Sequence, residues 1–267
     1  MESSAGTLRR RGLAVLTPED NFRFACHAGL ECFTRCCRDV TIFLTPFDII
    51  CLKRALRITS EAFLQKYTVT LISDSGFPVV LLKMGKDKMK SCPFVTRRGC
   101  AVYSHRPWSC RMYPLQPEST KLTGKKKKAY YSVMDVPFCL GFFEKRVSAV
   151  EAWQAEQGIP VYQEMEQLFK KITMNEFLSG KKITNEKIQE MYYMASYNLD
   201  RFRRFIFEST FLKRFEVGAD ESDVIKHDDV ALYRFAMKWL QYGLIGQDVL
   251  QVKPEAMAAK KQEIGLR

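Results

Sequence analysis

CPFVTRRGCAVYSHRPWSCRMYP, residues 92–114, decides how this chain is read. It sets Cys92, Cys100 and Cys110 among Pro93, Gly99, Pro107 and Pro114, residues that interrupt regular structure and fix tight turns. Such a stretch reads as a loop that presents side chains. Tight turns also expose backbone N–H groups to a bound sulfur, which is one way a protein tunes a metal–thiolate centre.

Upstream lies a second block, Cys26-x5-Cys32-x3-Cys36-Cys37, and downstream Cys139 closes the series. All nine cysteines therefore fall between residues 26 and 139, and eight of them lie in polar, turn-rich sequence. Thiolates are soft ligands, suited to zinc, copper(I) and iron–sulfur centres, and a structural zinc or a cubane cluster takes four. Eight would serve two four-ligand sites, or one site with additional thiols. The intervals match neither a simple zinc finger nor a bacterial ferredoxin. Adjacent Cys36 and Cys37 bond poorly to each other and suit ligation in two directions. A disulfide framework is the alternative, and it requires an oxidising compartment. The ninth cysteine, Cys51, shares helical spacing with Phe47 and Ala55 and reads as core. His27 and His105 adjoin the blocks as substitute ligands, while Tyr103 and Tyr113 read as packing or as hydroxyl donors to something bound.

At 267 residues, 46% hydrophobic and 27% charged, the chain can bury a sizeable core, which excludes disorder as its main state. No apolar run approaches the ~18 residues of a membrane span. Leu13-Ala14-Val15-Leu16 is too short for a secretory signal, so the cytoplasm is expected. There, clustered cysteines are more often metal-binding or catalytic than disulfide-bonded. The net charge of +12 has two readings. It can attract an acidic protein or a nucleic acid. It can also balance thiolates, through Arg35, Arg38, Arg97, Arg98, Arg106 and Arg111, and that account is preferred.

The expected fold class is α+β, mainly α. Residues 1–20 read as a flexible tail, 21–143 as a loop-rich cysteine-cluster region with short strands, and 144–267, which contain no cysteine, as all-helical. Thr45, Pro46 and Asp48 predict a helix start, with Leu44 and Ile49 placed as a hydrophobic staple. That helix runs to about residue 57, and a second covers Ser60 to Tyr67. Strands are predicted at Val69–Ile72 and Val79–Met84, joined through Ser73–Gly76, and another pair is predicted to flank Gly124-Lys125 and lead into Tyr130–Val133. Lys125–Lys128 reads as a solvated turn. Further helices are predicted at 144–157, 161–178, 185–197, 200–214, 228–242 and 252–262, with breaks at Gly158–Pro160, Gly180, Gly218 and Gly243. No phosphate loop, nucleophile elbow or helical His pair is present.

The segments Cys92-Pro93-Phe94, Gly99-Cys100-Ala101-Val102-Tyr103 and Arg106-Pro107-Trp108-Ser109-Cys110-Arg111-Met112-Tyr113-Pro114 resemble the signature of the YkgJ-type cysteine-cluster family, a zinc- or iron-chelating domain family. The Cys36-Cys37 pair and Leu44-Thr45-Pro46-Phe47-Asp48-Ile49 fit the same pattern, and the resemblance spans about residues 22–143. The family's first block is tighter, with two-residue gaps where this chain has five and three, which sets Cys26 and Cys32 apart from Cys36, Cys37, Cys92, Cys100 and Cys110. The resemblance implies a zinc or iron site and a bacterial or archaeal setting. One branch, the flagellin lysine-N-methylases, implies an iron–sulfur protein that uses S-adenosylmethionine.

Three functions follow as expectations. The first is a metal-binding protein that holds zinc or an iron–sulfur cluster, with 4Fe–4S as one form, through Cys26, Cys32, Cys36, Cys37, Cys92, Cys100, Cys110 and Cys139. The second is a cluster-dependent methyl-transferring enzyme, although no Rossmann-type glycine fingerprint is present. The third is a redox- or metal-responsive nucleic-acid binder, for which Arg201-Phe202-Arg203-Arg204-Phe205 is the candidate surface. The alternative for that stretch is an amphipathic helix with Phe202, Phe205 and Ile206 packed inward.

Overall fold

A computed structural model describes residues 15–118 and 129–263. Along the chain the elements are β1 (Val15–Leu16), β2 (Asn21–Arg23), β3 (Phe43–Leu44), α1 (Pro46–Leu56), α2 (Ser60–Tyr67), β4 (Thr68–Ile72), β5 (Pro78–Leu82), β6 (Val95–Thr96) and β7 (Gly99–Cys100). Then come α3 (Trp108–Met112), β8 (Leu115–Glu118), β9 (Tyr130–Val133), β10 (Val147–Ala149), α4 (Val150–Glu156) and α5 (Ile159–Thr173). The rest is helical: α6 (Glu186–Ser196), α7 (Leu199–Glu208), α8 (Phe211–Arg214), α9 (Ala219–His227), α10 (Asp229–Leu240) and α11 (Pro254–Glu263). Helix at 49% and strand at 15%, with the strands short and N-terminal, make the fold α+β and mainly α.

Two compact units result, and the division does not follow the linear boundary expected at 143/144. One unit holds residues 1–42 with 84–163, and the other holds 43–83 with 164–267. The reason is non-local. Residues 43–83 form the sheet β3-β5-β4 with α1 and α2, and α2 is held from the helical part, where Ser60 Oγ donates to Asn198 Oδ1 at 3.0 Å and Ser60 N–H to Asp200 Oδ2 at 2.6 Å. Composition changes near residue 143, but contacts do not.

In the cysteine-bearing unit, β2 pairs antiparallel with β10, and β9 lies between β1 and β8. Phe22, Phe24, Met112, Leu115, Tyr131, Cys139, Val150, Trp153 and Ile159 are buried together. Phe24 meets the Trp153 ring edge-on at 5.4 Å and the Tyr113 ring at 5.7 Å. This core positions the site, because Phe24 and Met112 each lie two residues from a cysteine. The expected tail is corrected over residues 15–20. There β1 pairs with β9, the Thr17 N–H donates to Asp20 Oδ2 at 2.8 Å, and the Asp20 carbonyl receives the Val150 N–H at 3.0 Å. Residues 1–14 and the Lys125–Lys128 tract lie outside the described residues, although the flanking β8 and β9 do pair, Leu115 opposite Val133.

In the other unit α1 starts as predicted. Thr45 Oγ1 accepts the Asp48 N–H at 3.1 Å, Asp48 Oδ2 accepts the Thr45 N–H at 2.8 Å, and Leu44 and Ile49 are both buried. The core holds Tyr192, Phe202, Tyr233 and Phe235, and the Phe202 and Phe205 rings lie 5.2 and 5.3 Å from Trp239. The basic–aromatic stretch is therefore the amphipathic helix α7. Its arginines are all in ion pairs: Arg201 with Glu190, Arg203 with Asp200 and Asp229, and Arg204 with Glu61.

Several predicted helices change shape. The 144–157 helix begins only at Val150, because Val147–Ala149 pair with β2. The 161–178 helix starts earlier, at Ile159, and ends at Thr173, after which Asn175 caps a separate 3-10 turn over Glu176–Leu178. The 200–214 helix is broken at Ser209, whose hydroxyl donates to the Phe205 carbonyl at 2.5 Å and accepts the Phe211 N–H at 3.1 Å. Gly243 lies inside a π-helical turn, Gln241–Ile245, that extends α10, so it breaks nothing. Helix α9 was not predicted. No helix among the described residues is long and apolar enough to cross a membrane.

Candidate metal centre

Backbone hydrogen bonds stitch the three cysteine-bearing stretches together. The Cys92 N–H donates to the Cys37 carbonyl at 2.8 Å and the Asp39 N–H to the Lys90 carbonyl at 3.1 Å. Between them Arg38 and Ser91 form an antiparallel bridge, and Lys90 Nζ pairs with Asp39 Oδ1 at 2.8 Å. On the other side the Ala25 N–H donates to the Gly141 carbonyl at 3.1 Å and the Phe24 N–H to the Arg146 carbonyl at 3.0 Å. The second block is mostly loop, as expected, with the short β6–β7 pair and a turn of helix added. Arg111 N–H donates to the Pro107 carbonyl at 3.0 Å, closing the single-turn helix α3, which is too short to leave a periodic signal.

These clips place all eight expected thiols within one electrostatic field. Cys36 is its hub. A hydrogen bond from the Cys37 thiol holds Cys36 down to about 7, against burial, and the same bond pushes Cys37 well up, with Cys92 and Cys110 adding to it. Burial pushes Cys26 up to about 11, helped by Cys36, Cys139 and Cys32. Burial also raises Cys92 and Cys100, and Cys36 acts on both. Cys139 is buried while Cys26 and Cys36 are exposed, so the thiols run from the core to the surface. Cys51 lies apart on α1 in the other unit, partly buried, consistent with its packing role.

The donor chemistry fits a thiolate-bound metal. Amide N–H groups of Phe94 and Val95 hydrogen-bond Cys92, and that of Val102 hydrogen-bonds Cys100, each opposing the upward push of burial. The Leu140 N–H donates to Cys32 Sγ at 3.2 Å. Such donors stabilise sulfur as the anion, the form that ligates metal. The turn at Gly99, with φ of +112°, supplies this geometry beside Cys100 at a backbone angle that side chains rarely adopt. Among the described residues, however, no three or more His, Cys, Asp or Glu side chains are arranged to hold a metal ion as they stand. The thiols are gathered but not converged.

The arginines divide their work. Arg106 acts on the thiols: burial raises Cys100 and Arg106 opposes that rise, while burial weakens the charge of Arg106 against the support of Tyr103, Cys110 and Cys100. Its guanidinium also donates to the Tyr103 carbonyl at 2.7 Å and lies over the Tyr103 ring at 3.9 Å. Arg111 instead braces the loop, donating to the carbonyls of Arg106 at 3.0 Å, Gln157 at 2.7 Å and Ser104. Arg35 lies over the Phe138 ring. The expected charge balancing by six arginines is thus carried visibly by Arg106, while others serve as scaffolding. His27 is engaged at both ring nitrogens, Nδ1 accepting the Gly29 N–H at 3.2 Å and Nε2 lying 3.4 Å from Glu144, which argues against it as a ligand. Sequence reasoning missed Leu140, whose contribution is a main-chain N–H and leaves no residue-type signal.

Gly141 is where the Cys139 stretch and the first block come closest. A Cβ there would stand 2.4 Å from the Ala25 carbonyl oxygen and 2.8 Å from the Phe24 ring. Gly141→Ala should destabilise the protein by about 3 kcal/mol in urea unfolding, since backbone lies on both sides of the clash. A loss under about 0.5 kcal/mol, as at an indifferent surface position, would show that the two stretches are not clipped there.

Residues 25–136 match a family model, CxxCxxCC, described as "Putative zinc- or iron-chelating domain". The match opens one residue before Cys26 and ends before Cys139. No curated protein and no solved structure matches the chain. The cysteine blocks, their stitched loops and this match agree: over residues 25–136 the chain is similar to the zinc- or iron-chelating cysteine-cluster family.

Proposed function

We propose that the protein holds a thiolate-ligated metal centre, an iron–sulfur cluster in the first place and zinc in the second. Cys36, Cys37, Cys92, Cys100 and Cys110 form its central ligands, and Cys26, Cys32 and Cys139 complete the set. The carrying observation is that two cysteine loops far apart in sequence are seated side by side, the Cys92 N–H donating to the Cys37 carbonyl at 2.8 Å, which brings Cys36 and Cys37 beside Cys92. Iron–sulfur is favoured because the donors are thiols, N–H groups converge on sulfur, and the nearby His27 is otherwise engaged. When bound, such a cluster supplies one-electron chemistry, and zinc supplies a structural tie.

Because the thiols are not converged, loading must draw at least four of them inward. Reconstitution with iron and sulfide under nitrogen should produce absorbance at roughly 400 nm and remove at least four thiols from reaction with a thiol reagent. Zinc should protect a similar number without colour. Nine thiols that all react equally after both treatments would reject the proposal.

A further inference from the structure

The Tyr113 hydroxyl is buried, and its neighbour is the Cys139 thiol, met at a geometry short of an ordinary hydrogen bond. Its ring is fixed, edge-on against Phe24 at 5.7 Å and packed on the core that contains Cys139. The hydroxyl lies against the Cys139 thiol, and Cys36 and Cys26 also act on it. Tyr113 caps the C-terminus of the single-turn helix that carries Cys110, where its N–H donates to the Ser109 carbonyl at 3.3 Å. A buried hydroxyl that faces a weakly accepting thiol is costly, and it gains when that sulfur becomes a better acceptor.

We propose that Tyr113 is a positioning residue that donates its phenolic O–H to the thiolate of Cys139 when the centre is loaded. The inference rests on the metal reading above. Metal binding releases the Cys139 thiol proton to solvent and leaves an anionic sulfur, which is a far better acceptor than a thiol. The phenol is the donor in this pair. The O–H···S bond then withdraws electron density from the sulfur, orients it and lowers its reactivity. Its partner group is therefore a metal-bound thiolate, and Tyr113 contributes mainly in the loaded state.

The test compares the full-length protein with Tyr113→Phe, which retains the ring and its packing against Phe24. Three quantities are measured: zinc affinity by chelator competition, the iodoacetamide alkylation rate at Cys139 in the zinc-loaded protein, read by mass spectrometry, and the melting temperature of the metal-free protein. Tyr113→Phe should bind zinc roughly tenfold more weakly, the size expected for losing an outer hydrogen bond to a ligand. Cys139 should be alkylated several-fold faster, and the metal-free melting temperature should be unchanged or higher. Equal zinc affinity and equal alkylation in the two proteins would overturn the role of Tyr113 and leave the metal centre standing. A metal-free melting temperature lowered as much as the loaded one would make Tyr113 purely structural and equally refute the inference. If the unsubstituted protein takes up neither zinc nor a reconstituted iron–sulfur cluster, the metal reading and the role of Tyr113 fall together.

Discussion

Cys36→Ser is expected to strip the protein of its metal while leaving the metal-free fold intact. Cys36 is the thiol on which the others converge electrostatically, and it is exposed, so serine at that position leaves no cavity in the core. Thiolate sites in small domains bind zinc with apparent energies of about 10–16 kcal/mol, so one ligand of four represents roughly 2.5–4 kcal/mol. Affinity should therefore fall by about 100- to 1000-fold. The loaded protein's melting temperature should drop toward the metal-free value, which itself stays put. Cys51→Ser on α1 is the control, and it should change metal affinity by less than about threefold. If both variants bind metal as tightly as the original chain, Cys36 is not a ligand.

The second large effect lies in the helical unit. Lys53 is almost fully buried, with Nζ 2.9 Å from Asp200 Oδ2 and 3.2 Å from Asp229 Oδ1. Arg203 bonds the same two carboxylates, and the Ser60 N–H adds a third kind of donor to Asp200. Burial pushes Asp200 up, but Ser60 and Lys53 together outweigh it and hold the carboxyl down to about 2. Lys53→Ala removes the buried ammonium that both Asp200 and Asp229 contact and leaves their charge less well compensated, which should cost about 3 kcal/mol in urea unfolding followed by helicity. The pH dependence has a definite sign. A carboxyl whose folded value is depressed stabilises fully above its unfolded value, near 4, and that stabilisation is lost as pH falls toward 2. Asp200 should thus contribute ~2.5 kcal/mol at neutral pH that disappears across this window, and the dependence should flatten in Lys53→Ala. Identical acid profiles for the two proteins would remove the network from the account of stability.

Local signals in this chain were readable because they are short-range chemistry. The reciprocal Thr45–Asp48 cap, the Ser60–Tyr67 helix and the β4–β5 pair each follow from residues within one or two turns of each other. What was not readable depends on partners far away in sequence. Residues 43–83 join the helical unit because Ser60 meets Asn198 and Asp200, and no periodicity announces that. Helix α7 stops at Ser209 because a hydroxyl competes for the Phe205 carbonyl, although the apolar pattern continues into α8. Helix α9 escaped because a single residue, Ile225, is its buried anchor.

The site divides along the same line. Cysteine type and clustering pointed to a soft metal, and the prolines and Gly99 pointed to turns that expose amides; Phe94, Val95 and Val102 do present N–H groups to sulfur. The roles of Arg106 and Arg111 did not separate in sequence, since both are arginines five residues apart. Only geometry shows one acting on thiols and the other filled by carbonyl oxygens. The Tyr113 hydroxyl likewise acquires meaning only when it is seen buried beside Cys139.

The most direct test is elemental and acid-labile sulfide analysis of protein purified without oxygen, repeated on Cys36→Ser. The account predicts stoichiometric iron with sulfide, or stoichiometric zinc without it, and loss of that metal in the variant. Protein that carries neither metal as purified and takes up neither on reconstitution would contradict it.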